Sequence, residues 1–156
     1  TSPRRRLRSS PGAGRASARS VTTMLTARDA GRAGGTLLAG VALFQVGLAA
    51  GAPWGAAAWG GTRPGRLPPG MRAASATSAV LLGSVAAVAA VPGLVDPSTR
   101  TRILRGAALY LAIGVPLNAA SRSPVERVWA PINAVGAALL WRATTAQAEP
   151  VAPVHA

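Results

Sequence analysis

AGGTLLAGVALFQVGLAAGAPWGAAAWGGT, residues 33–62, runs for 30 positions without an Asp, Glu, Lys or Arg. Three more charge-free intervals follow, at 73–95, 106–121 and 128–141, with lengths of 23, 16 and 14 residues. A helix needs about 20 mainly apolar residues to cross roughly 30 Å of hydrocarbon. The first two intervals therefore suffice alone, and the last two suffice if flanking arginines such as Arg105 and Arg142 carry their charge out to the headgroups. Period-two alternation is missing and every interval is rich in Ala and Leu, which disfavours strands. The fold class expected is all-α, a four-helix transmembrane bundle.

Composition agrees with one such bundle. The chain has 156 residues, 49% of them hydrophobic and 13% charged, with a mean hydropathy of +0.30, more apolar than a soluble domain with a polar surface requires. All 17 basic residues are Arg, a bias that GC-rich coding favours. Cysteine is absent, which excludes disulfides, thiolate metal sites and cysteine nucleophiles. The single histidine, His155, stands next to the end of the sequence, where solvation is its ordinary state.

The net charge of +13 is uneven, with eight Arg against the one acid Asp29 in residues 1–32. The domain organisation expected is a disordered Arg- and Ser-rich tail at 1–25, a four-helix transmembrane domain at 26–148, and a disordered C-terminus at 149–156. The tail suits anionic headgroups, while nucleic acid is not expected, since no interleaved aromatics or binding module accompany the charge. The first methionine is Met24 and Thr26-Ala-Arg-Asp29 lies just beyond it, so the working protein is expected to start near Met24. A transit peptide is the rival account of the leader.

Later helices carry their own start signals. Pro68-Pro69 opens the second, and Asp96-Pro97 caps a third running from Pro97 to about Ala120. Ser123-Pro-Val-Glu126 reads as a capping box for a fourth, from Pro124 to about Ala148. Pro92-Gly93, Pro116 and Pro131 are expected to bend or end helices. Four spans place the N-terminus, the Arg100 loop and the C-terminus on one side with twelve Arg, against five around Arg63 and Arg122. The termini are thus expected in the cytoplasm; counting from Met24, six face five and orientation is nearly undecided. Gly31-x-x-x-Gly35, Gly47-x-x-x-Gly51 and Gly51-x-x-x-Gly55 have the spacing of close helix association and motivate a homo-oligomer.

No residues assemble into a catalytic or metal-binding pattern, so neither an enzyme nor a cofactor is expected. Gln45, Thr77, Ser78, Ser84, Asn118 and Asn133 are polar within the apolar segments, and none is ionisable. That argues against proton-coupled antiport of the kind small four-helix exporters perform with an acidic residue in the first span. Topology gathers Trp54, Trp59, Arg72, Asn118, Arg122, Glu126, Arg127 and Trp129 on one side. Headgroup anchoring is the ordinary account of such Trp and Arg residues. The functional account is a lipid- or partner-binding surface, with Arg122 or Arg127 pairing a phosphate, Asn118 orienting it, and Glu126 clamping Arg122 at i, i+4 as the structural alternative. Gln45 and Asn133 are expected as intramembrane polar residues; gathered around a cavity, they and Asn118 would favour a transporter or channel component.

Gly51-Ala-Pro-Trp-Gly55, Ala58-Trp-Gly-Gly61, Leu67-Pro68 with Arg72, and Asn118-Ala-Ala-Ser-Arg-Ser123 followed by Glu126-Arg127 and Trp129 resemble a pattern of small, uncharacterised four-span membrane proteins of GC-rich bacteria. The resemblance spans about residues 24–142. It implies a multi-pass protein of the bacterial inner membrane and brings no activity or catalytic residues with it. The function expected is non-enzymatic, acting through lipid or protein partners.

Overall fold

The computed structural model describes residues 25–145. The basic tail before Leu25, the 149–156 terminus with His155, and the last residues of the fourth helix as expected from sequence lie outside the described residues. Within them the chain forms α1 (Ala27–Ala50), α2 (Pro69–Ala90), α3 (Pro97–Ala119) and α4 (Trp129–Arg142), with no strand. Single 3-10 turns at Gly55–Ala57, Trp59–Gly61 and Glu126–Val128 punctuate the loops.

Three helices start where local chemistry says they should. Thr26 accepts the Asp29 amide at 3.1 Å and donates its hydroxyl to the Asp29 carboxylate at 2.6 Å, closing the first turn of α1. Pro69 occupies the first turn of α2, where a missing N–H leaves nothing unsatisfied. Asp96 accepts the Thr99 amide at 2.9 Å and the Ser98 hydroxyl at 2.7 Å. Hydrogen bonds from Thr99, side chain first and then amide, and from Ser98 hold the Asp96 carboxyl well below its ordinary range. At the other end of α1, Gly51 takes φ +100°, a left-handed cap open to glycine, and its N–H reaches Gly47 and Leu48 carbonyls.

The fourth helix departs from expectation. Ser123 does not cap it: the Ser123 hydroxyl donates to Ala56 O at 2.7 Å in the α1–α2 loop, and Glu126 accepts the Gly60 amide at 2.7 Å from the same loop. The chain makes a 3-10 turn over Glu126–Val128, and α4 begins at Trp129 with 14 residues. The α1–α2 loop brings backbone groups that need partners in a half-buried setting, and these take the side chains that a local capping box would have used. Pro131, expected to bend a helix interior, falls in the first turn of α4, where its missing amide has no helical acceptor to disappoint. Pro92-Gly93 likewise lies beyond the end of α2.

Consecutive helices run antiparallel. The closest packing pairs α1 with α2 and α3 with α4, α1 also meets α4, and α2 touches α3 only sparsely. The main core joins Ala30, Leu38, Ala89, Leu104, Leu111 and Leu140; a second cluster of Leu48, Ala58 and Leu67, with Phe44 and Met71, sits under the α1–α2 loop. A Cβ on Gly31 would lie 2.7 Å from Ala89 O, and one on Gly35 2.8 Å from Ala86 O. This glycine spacing therefore serves the α1–α2 contact within one chain.

Arg100 closes the end opposite the α1–α2 loop. Its guanidinium donates to Val88 O at 3.2 Å, Ala89 O at 3.0 Å and Ala143 O at 3.3 Å, joining the C-terminal ends of α2 and α4. Nearby, the Arg105 guanidinium lies 5.6 Å from the centre of the Trp141 ring. By length and composition α1 and α2 are each able to cross a membrane, at 24 and 22 residues. α3 begins with Arg100, Arg102 and Arg105 in its first half, and α4 is short, so neither qualifies on the same terms.

Candidate functional site

The site is assembled by two loops that meet at one end of the bundle. Besides the Ser123 and Glu126 bonds, the Trp129 indole N–H donates to Ala57 O at 2.6 Å and the Trp59 indole N–H to Ser75 Oγ at 3.3 Å. Ser121 donates its hydroxyl to the second Glu126 oxygen and accepts the Ser123 amide at 3.1 Å. The α1–α2 loop is thereby latched onto the segment before α4. Trp59 itself has φ +55°, a left-handed backbone rare for a bulky residue, and its bond to the fully buried Ser75 helps hold it there.

Under this latch lies a cavity of about 350 Å³. Each helix contributes a pair of residues four apart: Val41 and Gln45 from α1, Ser78 and Leu82 from α2, Gly114 and Asn118 from α3, Trp129 and Asn133 around the start of α4. Residues at i and i+4 share a helix face, so each pair is one rung of the wall. Phe44, Trp59, Tyr110 and Glu126 also belong to the lining. Phe44 stacks on Trp54 with centroids 5.7 Å apart and meets Trp129 at 4.8 Å, so the aromatic wall continues outside the cavity.

The polar groups fall into two kinds. Thr77, Ser84 and Asn118 bond back to their own helices, at Ala73 O, Val80 O and Gly114 O. The Gln45 Oε1 atom is buried and has no hydrogen-bond partner among the described residues. Ser78, Tyr110 and Asn133 also line the cavity and make no side-chain hydrogen bond there. Gly114 makes room for this arrangement, since a Cβ on it would collide with the Asn133 amide. Buried polar groups are nearly always paired, and among the described residues Gln45 Oε1 is the exception; Ser78 and Asn133 are half-buried and Tyr110 is exposed.

A second cavity of about 400 Å³ continues along the α2–α3 seam. It shares Gln45, Ser78, Leu82, Tyr110 and Leu111 with the first and extends past Ile103 and Gly106 to Arg102. The sparse α2–α3 contact leaves this seam open at the side of the bundle. Tyr110, Ile113 and Leu117 stand exposed at its margin.

The residues singled out from sequence do collect at this end, in three roles. Trp59, Asn118, Glu126 and Trp129 line the cavity, joined by Gln45 and Asn133. Trp54 packs over Gly47, and Arg72 donates to Ala49 O at 2.9 Å, closing the end of α1. Arg122 and Arg127 are exposed; Arg127 donates to Ser121 O at 2.9 Å, and no ion pair joins Arg122 to Glu126, whose oxygens face the Gly60 amide and the Ser121 hydroxyl. The i, i+4 spacing alone could not place Glu126 on Arg122 because the chain between them is not yet helical. Sequence reasoning missed Tyr110, the sole tyrosine, although a phenol within a charge-free interval is a readable signal. It also missed Phe44 and Ser75, whose roles depend on what the opposite loop brings.

Among the described residues no group of three or more His, Cys, Asp or Glu side chains could hold a metal ion. Compared with protein-family models, curated proteins and solved structures, the chain finds no match.

Proposed function

We propose that this chain is a four-span, non-enzymatic protein of a bacterial inner membrane that holds a small lipid-soluble molecule in the cavity under its loop latch. One observation carries the binding reading: Gln45, Asn118 and Asn133 line a single cavity with Ser78, and Gln45 Oε1 is buried without a hydrogen-bond partner among the described residues. The spanning reading is supported by the outward faces. Less than a third of the apolar window in α1 or α2 is buried, and Leu43, Val80 and Leu117 are each more than two-thirds exposed. An apolar surface of that extent suits a hydrocarbon surrounding. α1 is about 36 Å long and α3 about 34 Å at ~1.5 Å per residue, enough for roughly 30 Å of bilayer core.

In this reading membrane lipids, anionic ones included, surround the protein, and nucleic acid is not a partner. The termini face the cytoplasm. A second reading, a component of a small transporter or channel, is favoured by the same gathering of amides, since a polar path needs such groups on one side of each helix. Native mass spectrometry of the purified full chain tests binding: the parent retains one amphiphile, whereas Ser78→Trp and Leu82→Trp, which fill the cavity, retain none. Equal retention by parent and both folded variants refutes the cavity reading. Single cysteines at Arg63 and Ser98, both exposed, test spanning: labelling from opposite faces of the membrane is expected, and labelling from the same face refutes four spans.

A further inference from the structure

Resting on that cavity reading, we infer that the site selects a hydrophobic organic cation. Glu126 is only 6% exposed, lines the cavity, and makes no ion pair among the described residues. Its two oxygens accept one hydrogen bond each, from the Gly60 amide and the Ser121 hydroxyl, which leaves acceptor capacity on both. A carboxylate withdrawn from water without a cation is a costly arrangement, and a positively charged occupant relieves it.

The rest of the wall fits the same occupant. The Trp59 and Trp129 indole N–H groups are engaged by Ser75 and Ala57, so these rings offer the cavity aromatic carbon and no N–H donor that would favour an anion. Gln45 and Asn133 line the same space and bring no charge to it. One carboxylate among aromatic rings and apolar walls suits an organic cation better than a metal ion, which needs several hard ligands. The guanidinium of Arg102 does not oppose this: it belongs to the far end of the seam, about 24 Å along α3 from Asn118 at ~1.5 Å per residue. A volume of about 350 Å³ falls within the ~300–1,000 Å³ usual for small-molecule sites.

The test uses two ions of nearly equal size and opposite sign, tetraphenylphosphonium and tetraphenylborate. Binding to the full chain in an uncharged detergent is followed by equilibrium dialysis of each ion, with Ser78→Trp and Leu82→Trp giving the baseline for ions dissolved in the micelle. Cavity-dependent binding of the phosphonium is expected to be stronger than that of the borate, although the whole chain carries a net charge of +13 that favours the anion. Glu126→Gln, whose amide oxygen still accepts from Gly60, is expected to weaken phosphonium binding roughly tenfold or more and to leave borate binding unchanged or stronger. Equal cavity-dependent binding of both ions by the parent overturns the charge preference while leaving the cavity reading in place. Binding of neither ion above the blocked-cavity baseline overturns the inference together with that reading. The comparison within the parent needs no variant at the latch, so a poorly folding Glu126→Gln does not rescue the inference.

Discussion

Replacing Arg100 by Met should weaken the bundle by about 3 kcal/mol, although Arg100 sits far from the cavity. The guanidinium donates three hydrogen bonds, to Val88 O, Ala89 O and Ala143 O. The first two acceptors belong to the last turn of α2, whose carbonyls have no helical donor, and the third is the capping residue of α4. Each bond contributes about 1 kcal/mol net, more for a charged donor buried from water and less for one partly exposed. Arg100 is half-buried, so the three together give roughly 2–4 kcal/mol. Methionine keeps most of the apolar stem, which isolates the loss to the guanidinium. Lysine offers one point charge instead of a planar fork and cannot span three carbonyls, so Arg100→Lys should lose about half as much. Reversible unfolding in mixed micelles, followed by far-ultraviolet circular dichroism, measures both. A change below about 0.5 kcal/mol for Arg100→Met, the level of an ordinary surface substitution, refutes the reasoning. An Arg100→Lys variant as stable as the parent would refute the geometric part of it, since charge alone would then suffice.

Gly31→Ala should destabilise by about 1–3 kcal/mol, because its Cβ meets Ala89 O at 2.7 Å, while Gly40→Ala on the open face of the same helix should stabilise by about 0.5–1 kcal/mol. Thermal unfolding of the two variants side by side gives opposite shifts if helix contact decides the sign. Ser123→Ala removes the bond to Ala56 O and should raise the rate at which a protease cuts the 51–68 loop, with a stability loss near 1 kcal/mol. An unchanged cutting rate would mean that the latch does not depend on it. Asp96 has a folded-state pKa depressed below its ordinary 3.8, so its contribution is fully present above about pH 4 and is lost as pH falls below that. The melting temperature of Asp96→Ala should therefore lie below the parent's at pH 7, and the gap should narrow on acidification; a gap independent of pH would contradict this assignment.

How much was legible depends on the range of the forces involved. The starts of α1, α2 and α3 follow from Thr26, Pro69 and Asp96 because caps and prolines act within one turn. The fourth start was misread for the same reason: Ser123 and Glu126 have the spacing of a local cap, but Ala56 O and Gly60 N–H, more than 60 residues away, are their partners. Arg100 looked like one more charge in a loop because nothing near it in sequence announces the ends of α2 and α4.

The candidate site divides along the same line. Sequence alone determined that the chain is built from apolar helices separated by arginine-bearing breaks, and that three of the four tryptophans, with the polar residues near two of those breaks, belong to one end. Hydropathy and capping are local properties, readable within one helix. Only the tertiary structure decided that Gln45, Ser78, Asn118 and Asn133 share one cavity, since which face each helix turns inward is set by how four helices and two loops pack together. Burial of Glu126 without a cationic partner is of the same kind: it exists only where the α1–α2 loop closes over the segment before α4.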